Sequence, residues 1–202
     1  MNSEDKIKVF EEELNLINDT NIAKHVSKIL GDVPDVFFTA PASSTGKHHP
    51  EKARMIGGLV WHTRVAVRIG YDMVNSDTLL EVEEKLFLSD IVVSALILHD
   101  TYKYGLDGKS ELTLGEHPRI AFNVVRKYSK NPGINLKYRT ILEDIAECIY
   151  SHMGKWNIPK ENPSAILPVP NTKLRLIVHQ ADMLSSRLHV YWNISVPASE
   201  NA

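Results

Sequence analysis

The sequence contains a single cysteine, Cys148, so no disulfide can form within the chain. This excludes the small secreted scaffolds that depend on disulfides, and we expect a reducing compartment. Cys148 lies in an apolar helical pattern, which favours a buried small side chain over a nucleophile. The acidic first residues lack the basic and apolar regions of a signal peptide, and we therefore expect a cytoplasmic protein.

Long apolar runs and a strong charge of one sign are also missing. No stretch approaches the length that crosses a bilayer, so no membrane partner is expected. The chain has 23 basic and 25 acidic residues, for a formal net charge of −2. That balance argues against avid non-specific binding of nucleic acid, although a local basic patch is compatible with it.

No internal repeat and no strand pattern of any length is present, so the sequence predicts an all-α protein, a compact helical bundle. A chain of 202 residues suits a single domain with a substantial core. We expect N-terminal helices and a loop packing on the core over residues 1–56, a metal-binding helical core over residues 57–192, and a tail over residues 193–202.

Local patterns predict several elements. Apolar spacing predicts two helices within residues 3–30, with a break at 18–21 capped by Thr20 or Asn21. The proline-containing segment 33–56 is expected to be a loop with a short extended piece at 36–39. Residues 77–90 are expected to form an acidic connection, and the last helix is expected to cover residues 173–192.

The segment 91–105, IVVSALILHDTYKYG, organises the rest of the chain. Its apolar first half is typical of a core helix. His99 and Asp100 follow immediately, and burying an imidazole beside a carboxylate is costly unless something compensates both groups. A divalent metal ion would do so, because it accepts lone pairs from both.

Other histidines and an aspartate occur at helix ends or on inward faces, and they supply partners for this pair. A first ion fits His62, His99, Asp100 and Asp182. With Asp100 bridging, His117 and His152 would provide for a second ion about 3.5–4 Å away. Imidazole and carboxylate ligands without cysteine suit Mn, Fe, Ni, Mg or catalytic Zn rather than a structural zinc site. The complete predicted ligand set is His62, His99, Asp100, His117, His152 and Asp182.

The order H…HD…D, with GGLVWHT at the first histidine and LILHDTYK at the pair, resembles the HD superfamily of metal-dependent phosphohydrolases. The resemblance covers about residues 43–188. The segment APASSTGKHHPEKARMIGGLVWHT is most similar to the HD domain of bacterial 3′-5′ exoribonucleases. The additional His117 and His152 are similar to those of dinuclear members such as the HD-GYP cyclic-dinucleotide phosphodiesterases, although WNIPKENP replaces the GYP signature.

The resemblance implies hydrolysis of a phosphate ester with one or two divalent ions, Mn being favoured. Asp100 and Lys103 are the expected catalytic residues. Asp100 would bridge the ions and orient the attacking water, and Lys103, at the lysine of HD-x-x-K, would neutralise charge on the phosphoryl group. The expected partner is a nucleotide or oligonucleotide substrate, with a homodimer as a further candidate.

Five residues are candidates for binding substrate. Each also has a structural interpretation: a helix-end lysine, a surface ion pair, a solvated loop, or an aromatic that covers the core rather than stacking on a base. His25, His179 and His189 match no motif position and are expected to be structural. The candidates are Lys103, Arg64, His49, Lys155 and Trp156.

Three functions follow from these residues. The first is a phosphodiesterase acting on a nucleic-acid end or a small cyclic or linear oligonucleotide. The second is a nucleotidase or dNTP phosphohydrolase, for which one ion would suffice and His117 and His152 would bind phosphate. The third is a catalytically silent nucleotide-binding module. The complete ligand set favours an enzyme over the third.

Overall fold

The computed structural model describes residues 1–44 and 49–187. Within these ranges the chain forms ten α-helices and no strand, which confirms the all-α prediction. The helices are α1 (Ser3–Val9), α2 (Glu11–Leu14), α3 (Thr20–Gly31), α4 (Val36–Thr39), α5 (Glu51–Arg54), α6 (Gly58–Asn75), α7 (Val82–Leu98), α8 (His117–Ser129), α9 (Leu136–Ser151) and α10 (Lys173–Ser185), with one 3₁₀ turn at Gly154–Trp156. The predicted tail at 193–202 lies outside the described residues.

Helix α7 forms the centre of the bundle. Its C-terminal half, 91–98, is fully buried, whereas most of its first two turns are exposed. A helical segment that is apolar all round needs neighbours on every side, and α6, α9 and α10 pack against α7 while α8 packs along α9. Because α7 ends at Leu98, His99 and Asp100 leave the helix in the middle of the bundle, where both are buried.

Two glycines allow α6 to begin close to α5. Gly57 has a φ of 75°, a left-handed conformation that favours glycine. A Cβ on Gly58 would lie 2.2 Å from the carbonyl oxygen of Ala53, so only glycine fits there. The close backbone approach expected from this glycine pair is therefore present, and it places His62 in the second turn of α6, facing the core.

The N-terminal helices cover the core and are tied to α7 through Asp90. This buried carboxylate accepts hydrogen bonds from the backbone N–H of Asn18 at 2.6 Å and of Asp19 at 2.9 Å. Asp19 is also the N-cap of α3, since its side chain accepts from the backbone of Asn21 and Ile22. The prediction of Thr20 or Asn21 as the cap was therefore wrong, because the carboxylate that reaches the free N–H groups lies one position earlier.

Other boundaries also differ from the predictions. The extended piece expected at 36–39 is the single helical turn α4, in which Phe37 stacks on Phe10 at 5.8 Å and Phe38 meets the same ring edge-on. A single turn is too short for a helical period to show in sequence. Helix α7 begins at Val82, well inside the expected acidic connection 77–90.

The helix predicted for 173–192 begins at Lys173 as expected. It is described as far as Ser185, and residues 188–192 lie outside the described part of the chain. Among the helices at 1–44 and 49–187, none is both long and apolar enough to cross a membrane. Cys148 is buried, and burial raises the pKa of its thiol to about 12, as suits a small core side chain.

Candidate metal centre

Six imidazole and carboxylate side chains converge where five helices meet. They form two groups that share Asp100, and within each group the potential ligand atoms lie within 4.8 Å of one another. All except Asp182 are almost fully buried, and the Asp182 side chain is 18% exposed. The first set is His62, His99, Asp100 and Asp182, and the second set is Asp100, His117 and His152.

In the first set, two imidazoles face two carboxylates. His62 Nε2 lies 3.0 Å from Asp182 Oδ1 and 3.4 Å from Asp100 Oδ2. His99 Nε2 lies 3.4 Å from each of the same two oxygens. The four ligand atoms therefore surround one point, although they come from helices far apart in the sequence.

The second set uses the other oxygen of Asp100. Asp100 Oδ1 lies 2.9 Å from His117 Nε2 and 3.7 Å from His152 Nε2, and the two imidazole nitrogens are 3.2 Å apart. Asp100 thus presents Oδ2 to the first set and Oδ1 to the second. This is the arrangement of a carboxylate that bridges two ions.

Three of the histidines are oriented by the backbone of their own turn. Each Nδ1 bonds the carbonyl oxygen three residues earlier, at 2.7 Å for His99, 2.6 Å for His117 and 2.7 Å for His152. Because a carbonyl only accepts, Nδ1 carries the proton, and Nε2 is the nitrogen that can bind a metal. A hydrogen bond of this kind is the usual support of a metal-binding histidine.

His62 is oriented by a side chain from another helix. Its Nδ1 lies 3.0 Å from Ser185 Oγ, and that hydroxyl donates to the carbonyl oxygen of Asp182 at 2.6 Å. With its own proton used in this way, the hydroxyl accepts from His62. Sequence analysis missed Ser185. Its position one helical turn after Asp182, an aspartate among core positions, could have indicated that it lies beside the cluster.

The buried charges partly neutralise one another. Burial alone would raise the pKa of Asp100, but Lys103 and His99 hold it well below its usual range. Burial alone would lower the pKa of His99, but Asp100 and Asp182 raise it to about 10. Burial and the charge of His99 lower the pKa of His152 to about 3. Asp100 is therefore ionised and His152 neutral at pH 7, as metal ligands must be.

Unpaired buried atoms test whether these residues fit a metal ion. His62 Nε2, His99 Nε2 and Asp100 Oδ1 are buried and make no hydrogen bond. In the deprotonated state that binds a metal, Nε2 of an imidazole and a carboxylate oxygen are both acceptors, so their close approach is favourable only with a proton or a metal ion between them. An ion in the first set would bind the two imidazole nitrogens, and an ion in the second set would bind Asp100 Oδ1, so the residues fit divalent ions.

Two predicted substrate-binding residues lie beside the cluster. Lys103 Nζ is 2.6 Å from Asp100 Oδ2, and its side chain is 14% exposed. The His49 ring lies 5.5 Å from that of His62, and its buried Nδ1 has no hydrogen-bond partner. Burial, together with the charges of His62 and Lys103, lowers the pKa of His49 to about 3, so it is neutral. The neighbouring Lys47 and His48 lie outside the described residues.

Arg64 lies elsewhere. Its guanidinium donates to the carbonyl oxygen of Val9 and lies 3.5 Å from Glu13 Oε2, a buried carboxylate. Arg64 is two positions after His62, and side chains two positions apart on a helix point to nearly opposite sides. The structure therefore places Arg64 against the N-terminal helices and not at the cluster, which corrects its prediction as a substrate-binding residue.

Lys155 and Trp156 lie in the 3₁₀ turn that follows α9, just beyond His152. The Trp156 side chain is 49% exposed, and the Lys155 ammonium lies 4.8 Å above its ring. Both residues are thus accessible near the second set. Their contact with substrate stays a prediction.

A family model described as HD domain matches residues 61–187, more than half of the chain. The matched segment begins just before His62 and ends just after Asp182, so it contains both ligand sets. No curated protein and no solved structure matches the chain. The match together with the intact His/Asp cluster identifies a metal-dependent phosphohydrolase.

Proposed function

The chain belongs to the HD-domain family, and we propose that it is a phosphodiesterase that cleaves a nucleic-acid end or a small linear or cyclic oligonucleotide. The observation that carries the proposal is the placement of Asp100, whose two oxygens face two adjoining ligand sets. Two divalent ions, with Mn²⁺ favoured, would polarise the phosphoryl oxygens, activate water and balance charge on the leaving oxygen.

Lys103 is the residue best placed to act on the phosphoryl group. Its ammonium touches Asp100 Oδ2 at 2.6 Å and remains partly exposed, so it lies at the boundary between the cluster and solvent. A cation fixed there stabilises the negative charge that develops on phosphoryl oxygens in the transition state. We assign this role to Lys103.

His49, which lies beside His62 of the first set, is a further candidate for binding substrate. It is neutral at pH 7, so it contributes hydrogen bonds rather than charge. Its buried Nδ1 is unpaired beside His62, and a phosphate oxygen or a leaving hydroxyl would supply the missing partner. We assign His49 to the binding of one of these groups.

Preference for an oligonucleotide over a mononucleotide is supported by Lys155 and Trp156. An exposed indole can stack on a base of any identity, and a lysine beside it can meet a backbone phosphate. The similarity of APASSTGKHHPEKARMIGGLVWHT to the HD domain of 3′-5′ exoribonucleases agrees with this preference. We therefore favour the 3′ end of a single strand among the candidate substrates.

The test compares hydrolysis of a diester with hydrolysis of a monoester. The Mn²⁺-loaded protein is assayed on bis(p-nitrophenyl) phosphate and on p-nitrophenyl phosphate, then on end-labelled RNA, cyclic dinucleotides and dNTPs. We expect the diester and the oligonucleotides to be cleaved faster. Preference for the monoester or for dNTPs would indicate a nucleotidase, and the absence of any hydrolysis would indicate a binding module.

A matched lysine pair separates catalysis from a general charge effect. Lys103→Met should lower kcat on the diester by about 10²–10³-fold, the effect of removing one group that stabilises transition-state charge, and should leave the metal content unchanged. Lys109→Met, in the exposed loop where Lys109 faces Asp107, should have no effect. A Lys103→Met protein as active as the parent would contradict the assigned role.

A further inference from the structure

The C-terminal end of α9 is held by a side chain from α10. The backbone carbonyl of His152, the C-cap of α9, accepts a hydrogen bond from His179 Nδ1 at 2.6 Å. The last carbonyls of a helix have no partner within the helix, so His179 provides one. Because the carbonyl only accepts, the proton lies on His179 Nδ1.

The position of the His179 ring is closely constrained. Gly154, two residues after His152, has a φ of 56° and lies directly against the ring. A Cβ there would lie 2.2 Å from His179 Cε1 and 2.5 Å from Nε2, so only glycine leaves room. The Trp156 ring is a further neighbour, at 6.4 Å. The chain after α9 is thus shaped around this imidazole.

His179 also shares a helix with a ligand of the first set. Asp182 follows it by one turn of α10, and residues three apart lie on the same side of a helix. Asp182 contacts His62 and His99, whereas His152 belongs to the second set. The hydrogen bond from His179 therefore joins the helix that carries a first-set ligand to the residue that carries a second-set ligand.

We propose that His179 is a positioning residue that sets the location of His152, and with it the second metal site, relative to the first. His152 makes the longest contact of the second set, 3.7 Å to Asp100 Oδ1. Its Nδ1 is anchored to Ile149 of its own helix, so movement of the α9 end moves the ligand. His179 meets the second set through the backbone carbonyl of His152 and not through a ligand atom, and the inference rests on the two-ion site of the proposed function.

Two substitutions separate the hydrogen bond from the packing of the ring. His179→Phe keeps a ring against Gly154 but removes the donor. His179→Asn loses the ring but keeps an N–H at the same number of bonds from Cα as His Nδ1. Gln180→Ala, at the exposed next position of α10, is the matched control. Thermal unfolding of all the variants shows that each one folds.

The measurement is Mn²⁺ binding to the whole chain, with electron paramagnetic resonance to detect the exchange-coupled Mn²⁺ pair. His179→Phe should bind the second ion about 10–100-fold more weakly, the usual cost of losing a residue that supports a metal ligand. The coupled signal should be lost at Mn²⁺ concentrations that fill the parent protein. The affinity of His179→Phe for the first ion should equal that of the parent. His179→Asn should recover much of the affinity for the second ion.

Equal binding of both ions by the parent and His179→Phe would overturn the inference while leaving the proposed function intact. An equal loss of Mn²⁺ affinity at both sites, without recovery in His179→Asn, would also overturn it. Such a result would indicate that the substitution loosens the packing of the whole bundle. A single Mn²⁺ in the parent protein would overturn the two-ion site itself, and the inference with it. The three negative results are therefore distinguishable.

Discussion

The two ligand sets differ in how many protein groups they supply. The first set offers four ligands and the second offers three, with Asp100 counted in both. Four protein ligands suit an ion that stays bound, whereas three leave positions for water and substrate, as in catalytic sites. In the proposed two-ion site, we therefore expect the first set to hold its ion more tightly and the second ion to keep more positions open for water and phosphate oxygens.

The sets also differ in their place in the fold. The first set comes from α6, α10 and the end of α7, three helices that pack directly on one another. In the second set, His117 comes from α8, which packs mainly along α9, and His152 lies at the end of α9. The second set therefore depends on the position of the α9 end relative to α10, which is the position that we assign to His179.

The largest loss of activity is expected from a substitution of Asp100, the residue that the two sets share. Asp100→Asn removes the charge that serves both ions, so phosphodiesterase kcat should fall by about 10³-fold or more, corresponding to several kcal/mol of transition-state stabilisation. Steady-state kinetics of the Mn²⁺-supplemented variant measures this. Asp107→Asn, at an exposed carboxylate in the following loop, is the control, and an Asp100→Asn rate within tenfold of the parent would contradict the bridging role.

A pair of histidine variants should separate the sets by stability. A ligand at a hundredfold excess over its Kd stabilises the folded state by about 2.7 kcal/mol, or roughly 5–10 °C in Tm for a chain of this size. His117→Ala should keep most of the Tm increase caused by Mn²⁺, since the first set is intact, and His62→Ala should lose most of it. Differential scanning calorimetry with and without Mn²⁺ measures both, and equal losses would mean that the sets are not distinct.

The smallest effect is expected in the pH dependence of metal binding. The pKa of His99 is raised to about 10, so at neutral pH its imidazole carries a proton that an ion in the first set must displace. Binding should therefore tighten as pH rises, about tenfold per unit for one released proton. Titration calorimetry at pH 6, 7 and 8, in two buffers of different protonation enthalpy, measures the release.

The same titration compares the two sets. The pKa of His152 is lowered to about 3, so this second-set ligand has no proton to release at neutral pH. In His117→Ala, the affinity for the first ion should therefore keep the same pH dependence as in the parent. Metal affinity that does not change with pH in the parent would show that His99 is not the proton donor.

Much of the candidate site could be predicted from local sequence. His99 and Asp100 follow a continuous apolar run, and Asp182 lies among core positions of a helix. Polar groups in such places are costly unless they are compensated. The structure indeed brings these residues together, with His62, His117 and His152, in two adjoining sets.

Other features could not be predicted, because they depend on contacts between distant helices. Arg64 was a candidate for binding substrate because it follows His62 on one helix, but its partners are Val9 and Glu13 of the N-terminal helices. Ser185 and His179 looked like ordinary helix residues, and only packing shows that one orients His62 and the other holds the carbonyl of His152.

The sequence by itself determined the helical class, the central buried segment and the candidate ligand residues, since these follow from local periodicity and from the cost of burying polar side chains. Tertiary structure alone decided which oxygen of Asp100 faces which set and how the histidines are oriented. These properties are relations between side chains on different helices, and they arise only when the helices pack.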